Sequence, residues 1–188
     1  PLYRNSNLVA LNTSRPPLND INVRRAVFQA MDPWAAINEI WLGTAYVSLG
    51  FPAMDAGWLL STPDLRRFFA QPESARDLLD AANGNGNNAV SITVGDFGER
   101  YVAHARRIAA EMEAVGLAPT LEIVDRRRFG EEVWLGGDYQ MFVGPPAPTM
   151  TVGVMRHRVM RRRSRGPAPP HRVAHGASPA ARQAGISA

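Results

Sequence analysis

Three groups of residues carry side chains that could do chemistry. Arg126-Arg127-Arg128 follows an apolar run and opens a helical one. Guanidiniums so placed can contact an anion or ligand at a sheet edge. A solvated charge run is the plainer account of any single one, and Arg126 is best placed to face a cleft. Asp125 and Glu131-Glu132 bring carboxylates to the same place. Paired carboxylates can act as general acid and base, but these flank a helix N-terminus, where negative charge is favourable in itself. His171 and His175 stand four apart, like two metal ligands on a helix. Pro167, Pro169, Pro170 and Pro179 surround them; proline breaks helices, so no metal site is assigned.

Other chemical signals fail on context. Gly84-Asn-Gly86 has the composition of a phosphate loop, but it follows a helical run and precedes a strand-like one. A dinucleotide loop needs the reverse order, so this is read as a connecting turn. His104 lies off the apolar stripe of its helix and is expected in solvent. There is no Gly-x-Ser-x-Gly elbow. With no cysteine, thiolate metal sites, iron–sulfur clusters and cysteine nucleophiles are excluded. No complete catalytic constellation and no cofactor loop emerges, so the chain is read as a non-enzyme without a cofactor.

A chain of 188 residues with 45% hydrophobic content suits one domain with an appendage. It begins with Pro1, not Met, which points to a piece of a longer chain. No run approaches the roughly 18 apolar residues of a membrane span, and no signal peptide is visible. Charge is divided sharply. Residues 1–150 hold all 17 acids against 13 arginines, a net of −4, whereas 151–188 hold eight arginines and no acid. Every basic residue is arginine.

The elements that must position these groups follow from periodicity. Residues 8–12, LVALN, read as a buried strand. Arg15-Pro16-Pro17 is expected to hold the chain extended. Asn19 or Asp20 then caps a helix with Val23, Ala26, Val27, Ala30 and Met31 on its buried face. Asp32-Pro33 stops that helix and opens another, buried through Ile37, Ile40 and Trp41 and ended by Gly43. Residues 44–71 show no period and read as a long loop pinned by Trp58, Phe68 and Phe69. Pro72 opens a helix with Ala75, Leu78, Leu79 and Ala82 on one side. Then come a strand at 90–94, a helical stripe from Tyr101 to Val115 ended by Gly116, a strand at 121–124, a short helix marked by Phe129, Val133 and Trp134, and a strand at 139–143. Strands alternating with helices imply an α/β fold with a parallel sheet. Ligands of such sheets sit at the carboxyl ends of the strands, here the loops after Val94, Val124 and Val143. Trp134 near a strand end can wall a cleft or belong to the core. Gly144-Pro145-Pro146 ends its strand rigidly, as a crossover or a cleft-lining segment.

Residues 151–188 have no period and are expected to be disordered. A basic arm at 156–165 would bind nucleic-acid phosphates, though no aromatic residue is interleaved for base stacking. The abrupt loss of acids fits best with translation in the wrong frame of GC-rich DNA.

The stretch LVALNTSRPPLNDINVRRAVFQAMDPWAAI resembles the extracytoplasmic solute-binding proteins of family 5, the peptide- and oligopeptide-binding components of ABC transporters. The matching features are Asn12, Thr13, Pro16, Pro17, Val23, Arg24, Ala26 and Asp32. PESARDLLDAA, EMEAVGLAPTLEIVD and WLGGDYQMFVG resemble later segments of the family in the same order, so the resemblance covers residues 6 to about 148. It implies that residues 1–150 are part of the second lobe of a type II periplasmic-binding-protein fold, mostly parallel sheet flanked by helices and incomplete. The implied partners are a peptide or other small solute and the permease subunits at the membrane, with no nucleic acid unless the tail is genuine; the implied location is periplasmic or extracytoplasmic. Ligand contacts carried over from the resemblance are Asn12, Arg126, Trp134, Pro145, Pro146 and Thr149. No acid lies near Thr149, which argues against a free peptide amino group as ligand. The competing reading is a small α/β protein with a polyanion-binding arm.

Overall fold

The computed structural model describes residues 7–49, 57, 59–82 and 88–147. Its centre is one four-stranded sheet in the order β1-β4-β2-β3, where β1 is Leu8–Leu11, β2 Ala89–Gly95, β3 Ala118–Val124 and β4 Met141–Gly144. The strand β2 pairs in parallel with β3, from Ala89↔Ala118 to Gly95↔Val124, and with β4, from Ile92↔Met141 to Val94↔Val143. The sheet is therefore mostly parallel, as the alternation of strands and helices requires. The exception is β1, which runs antiparallel to β4 from Leu8↔Gly144 to Leu11↔Met141. The strand β3 starts at Ala118, earlier than its apolar run suggests, and includes Pro119. Proline is tolerated there because β3 has a neighbour on one side only.

Alternation along the strands builds two cores on opposite faces of the sheet. Val90, Ile92, Val94, Met141 and Val143 face the larger one. It is closed by α1 (Ile21–Ala30), through Val23, Ala26, Val27 and Ala30, by α4 (Pro72–Ala82), through Ala75 and Leu79, and by α5 (Glu99–Ala114), through Ala105, Ile108 and Met112. Phe142 and Val124 face the smaller core, closed by Phe129 and Val133. Those two residues come from the direct continuation of α6 (Arg126–Arg128), a π-helix over Phe129–Gly136.

Local signals explain the helix ends. Asp20 accepts from the Asn22 N–H at 2.7 Å and starts α1. Asp32 starts α2 (Pro33–Glu39) by accepting from the N–H groups of Trp34 and Ala35 at 3.1 and 3.0 Å. The Asp32 N–H in turn donates to Glu111 on α5 at 3.1 Å, and Arg107 Nε holds the other Glu111 oxygen at 2.8 Å. Burial, the main influence, pushes the Glu111 carboxyl up from its usual range. Gly116, at φ +99°, turns the chain out of α5.

Four expectations change. Residues 13–19 turn instead of running extended: the Arg15 N–H reaches Asn12 O at 3.2 Å and the Asp20 N–H reaches Pro17 O at 3.1 Å. That turn buries Leu18 completely, a core residue with no periodic partner in the sequence. In α2 it is Ala36 that is fully buried, while Ile37, Ile40 and Trp41 are not. The expected loop contains a short helix, α3 (Thr62–Leu65), capped by Ser61. Phe69 pins this region by packing edge-on against Phe28 and Trp34, but Phe68 is 46% exposed. Trp58 and Gly84-Asn-Gly86 lie outside the described residues.

Leu18→Ala should therefore cost about 2–5 kcal/mol, the range for emptying a buried leucine site, whereas Phe68→Ala should stay within about 0.5 kcal/mol of the parent. Urea unfolding of the two variants checks the contrast.

Candidate functional site

The carboxyl ends of the parallel strands are Gly95, Val124 and Gly144. The chain leaves them as Asp96-Phe97, Asp125-Arg126 and Pro145-Pro146. Phe129 fills the space just behind. Its ring is fully buried and lies on the strand ends: a Cβ added at Gly144 would come within 2.7 Å of Phe129 Cζ, and one at Gly95 within 3.0 Å of Phe129 Cδ2. Around it Phe97 sits at 5.4 Å, Trp134 at 5.5 Å and Phe142 at 5.7 Å between ring centroids, all near-perpendicular. Phe97 and Trp134 are 5.8 Å apart with their planes tilted by 31°. Such edge-to-face contacts add about 0.5–1.5 kcal/mol each beyond area burial. The wide π-helical turns put Phe129, Val133 and Trp134 together against the sheet, and π segments recur at functional sites.

The polar groups are set by this frame. Trp134 Nε1 donates to Pro145 O at 3.2 Å. Arg126 Nε donates to Asp96 O at 3.1 Å, with the guanidinium 5.6 Å from the Phe97 ring centroid. Arg127 pairs with Glu131 at 2.9 Å, and Arg128 with Glu122 and Glu132 at 2.7 and 2.8 Å. Those hydrogen bonds to the two glutamates hold the Arg128 guanidinium charged beyond its usual range. Asp125 accepts from the Arg128 N–H at 2.9 Å, the main reason its carboxyl is lowered. Thus Asp125, Glu131 and Glu132 serve as a cap and as ion-pair partners.

Arg126, Trp134 and Pro145 come together at the carboxyl edge, and Pro146 follows directly, half-buried. Asn12 does not join them. It sits beyond Leu11, which pairs with Met141 at the opposite end of β4. There its amide donates to Tyr139 O at 2.9 Å and Gly137 O at 3.4 Å and accepts from Ser14 Oγ at 2.7 Å. Thr149, His171 and His175 lie outside the described residues. Phe97 and Asp96 belong to the edge but carry no sequence pattern of their own; their only signal was position, directly after a buried strand.

An open groove of about 450 Å³ lies on the smaller-core face, lined in part by Ser91, Thr93, Glu122 and Arg128. Its Arg15–Asp138 pair, at 2.7 Å, and the Arg128 pairs neutralise one another. Among the described residues no group of three His, Asp or Glu side chains is placed to hold a metal ion.

His104 is a correction. It is half-buried, not solvated. Its Nδ1 lies 2.7 Å from Asn7 Nδ2, and Trp41 meets its ring edge-on at 6.3 Å. Burial first, and Arg107 one turn on, lower its pKa to about 4.

Residues 2–151 match the family described as bacterial extracellular solute-binding proteins, family 5 (middle). The chain belongs to this family. Among solved structures it resembles DppA from Helicobacter pylori in complex with the peptide STSA, at 20% identity and a TM-score of 0.63 over 76% of this chain. It resembles AppA from Bacillus subtilis in complex with a nonapeptide, at 16% and 0.60 over 78%. A periplasmic oligopeptide-binding protein of an ABC transporter from Thermotoga maritima matches at 17% and 0.60 over 74%. The chain spans 27%, 34% and 29% of those structures respectively. No curated protein matches it. The family is one of extracellular binding proteins, and among the described residues no helix is long and apolar enough to cross a membrane.

Because His104 has a lowered pKa, the unfolded chain binds its proton more readily than the folded one. The resulting stability is fully present above about pH 6.5 and is lost as pH falls toward about 4. The loss should reach at most about 3 kcal/mol by pH 4, at roughly 1.4 kcal/mol per pKa unit. Urea unfolding of the parent and of His104→Gln at pH 7 and pH 4.5 checks this; the variant should lose the part of the pH dependence that His104 supplies.

Proposed function

We propose that residues 1–150 form part of one lobe of a solute-binding protein that captures peptides or similar small solutes outside the cytoplasmic membrane. The captured solute passes to the permease subunits of an ABC transporter. Capture is reversible closure of two lobes, and no bond is broken. The observation that carries this reading is the family match over residues 2–151. The carboxyl edge supports it, with an arginine beside aromatic rings. In this reading Arg126, Trp134 and Pro145 meet the solute, with Pro146 beside them; Thr149 is a contact that the family resemblance alone suggests. Asn12, bound to Tyr139 O, holds the turn that feeds β4. The named ligands of the structural relatives, the peptide STSA and a nonapeptide, make peptides the first solutes to test.

Closure needs two lobes, and this chain spans about a third or less of the solved relatives. Calorimetry of the 188-residue chain against a peptide library should show no micromolar binding, and micromolar binding would overturn the two-lobe mechanism.

For residues 151–188 we propose translation in a shifted frame. The family match stops at residue 151, and no acid occurs after Asp138. Resequencing codons 140–188 and translating all frames tests this. Another open frame that restores acids and apolar alternation is the expected result. If the printed frame is confirmed alone, the tail is genuine, and polyanion binding with a steep salt dependence becomes the reading for it.

A further inference from the structure

The three consecutive arginines at the carboxyl edge do not have the same fate. Arg127 and Arg128 are neutralised by Glu131, Glu122 and Glu132 at 2.7–2.9 Å. Among the described residues Arg126 has no carboxylate partner within ion-pair distance. The only hydrogen bond of its side chain there runs from Nε to the backbone oxygen of Asp96. Asp125, its neighbour in sequence, is turned to the Arg128 N–H. The Asp96 carboxylate is exposed and makes no ion pair with it.

That single bond has a geometric result. A guanidinium is planar, so holding Nε–H on the Asp96 carbonyl leaves the Nη1 and Nη2 donors of this exposed side chain for another partner. The ring of Phe97 on one side limits its sweep. Trp134 lies 5.8 Å from Phe97 between ring centroids and donates its N–H to Pro145 O. An arginine fork matches a carboxylate or phosphate by two parallel hydrogen bonds. A sheet edge that neutralises two arginines with glutamates and leaves the third unpaired is selective about where its positive charge stands.

We infer that Arg126 is the specificity-determining contact of this lobe: the solute carries a carboxylate or phosphate group that docks on the Arg126 fork, with its apolar part along Phe97 and Trp134. The inference rests on the solute-binding reading above and deepens it. It places the anionic end of the solute against this lobe.

The test is side-chain and backbone NMR of the 15N-labelled 188-residue chain at low salt. The probes are N-acetyl-phenylalanine, N-acetyl-phenylalanine amide and phenyl phosphate, at millimolar concentrations. The two anions should shift the Arg126 Nε–H and the Phe97 amide, and the neutral amide should bind at least tenfold more weakly. Arg126→Gln should weaken anion binding at least tenfold, and Arg127→Gln less than twofold. Preference for the carboxylate over phenyl phosphate, or the reverse, identifies the anion; both outcomes support the inference. Equal shifts with the neutral amide would overturn the anion assignment while leaving the edge as a solute site. Equal losses in the Arg126→Gln and Arg127→Gln variants would show a diffuse charge effect and overturn it also. No shift at this edge with any probe would overturn both this inference and the placement of the solute there.

Discussion

The carboxyl edge of the sheet depends on one contact, the ring of Phe129 against the bare ends of two strands. Protein interiors are packed as densely as organic crystals, so a ring can lie on a strand only where the strand offers no side chain. Gly144 provides that opening on β4, and Gly95 on β2 makes room for Phe129 and, closer still, for Phe97, whose Cε2 would lie 2.3 Å from an added Cβ. With the ring seated, the helix carrying it must start at Arg126 and bring Val133 and Trp134 to the sheet in its next turns. Phe97, packed on the same ring, then fixes where the Asp96 carbonyl and the Arg126 side chain meet. The aromatic group is thus both a small core and the support of the polar groups around it.

Much of this was legible in the sequence, and the rest was hidden for physical reasons. The parallel strands, the α1, α4 and α5 faces and the Asp20 and Asp32 caps follow from periodicity and capping chemistry, which are local properties. Leu18 was illegible because its burial comes from a turn that folds back on the core. Phe68 and Phe69 differ only in which way the turn after α3 points them, and one adjacent pair of aromatics carries no phase information. For His104, distance from the apolar stripe was misleading: Asn7 and Trp41, remote in sequence, close over it.

The site shows the same division. Position at a strand end singled out Arg126, Trp134 and Pro145, and the family resemblance pointed to the same three. Neither revealed Phe97, which joins them through ring contacts from a different loop. Nor could sequence distinguish three identical arginines. What separates them is three-dimensional: Glu122 reaches Arg128 from the neighbouring edge strand, and among the described residues nothing comparable reaches Arg126.

The register of the antiparallel pair has a mechanical consequence. Leu8 lies opposite Gly144, so the described chain comes into the sheet and leaves it at the same corner, beside the aromatic group. Whatever load reaches this unit along the backbone at those points is delivered through two adjacent, hydrogen-bonded strands. A pair of tethers side by side resists torsion and shear between them, yet bends readily in the direction normal to the sheet. Any bending there has its pivot beside Gly144, next to the edge proposed above to meet a solute.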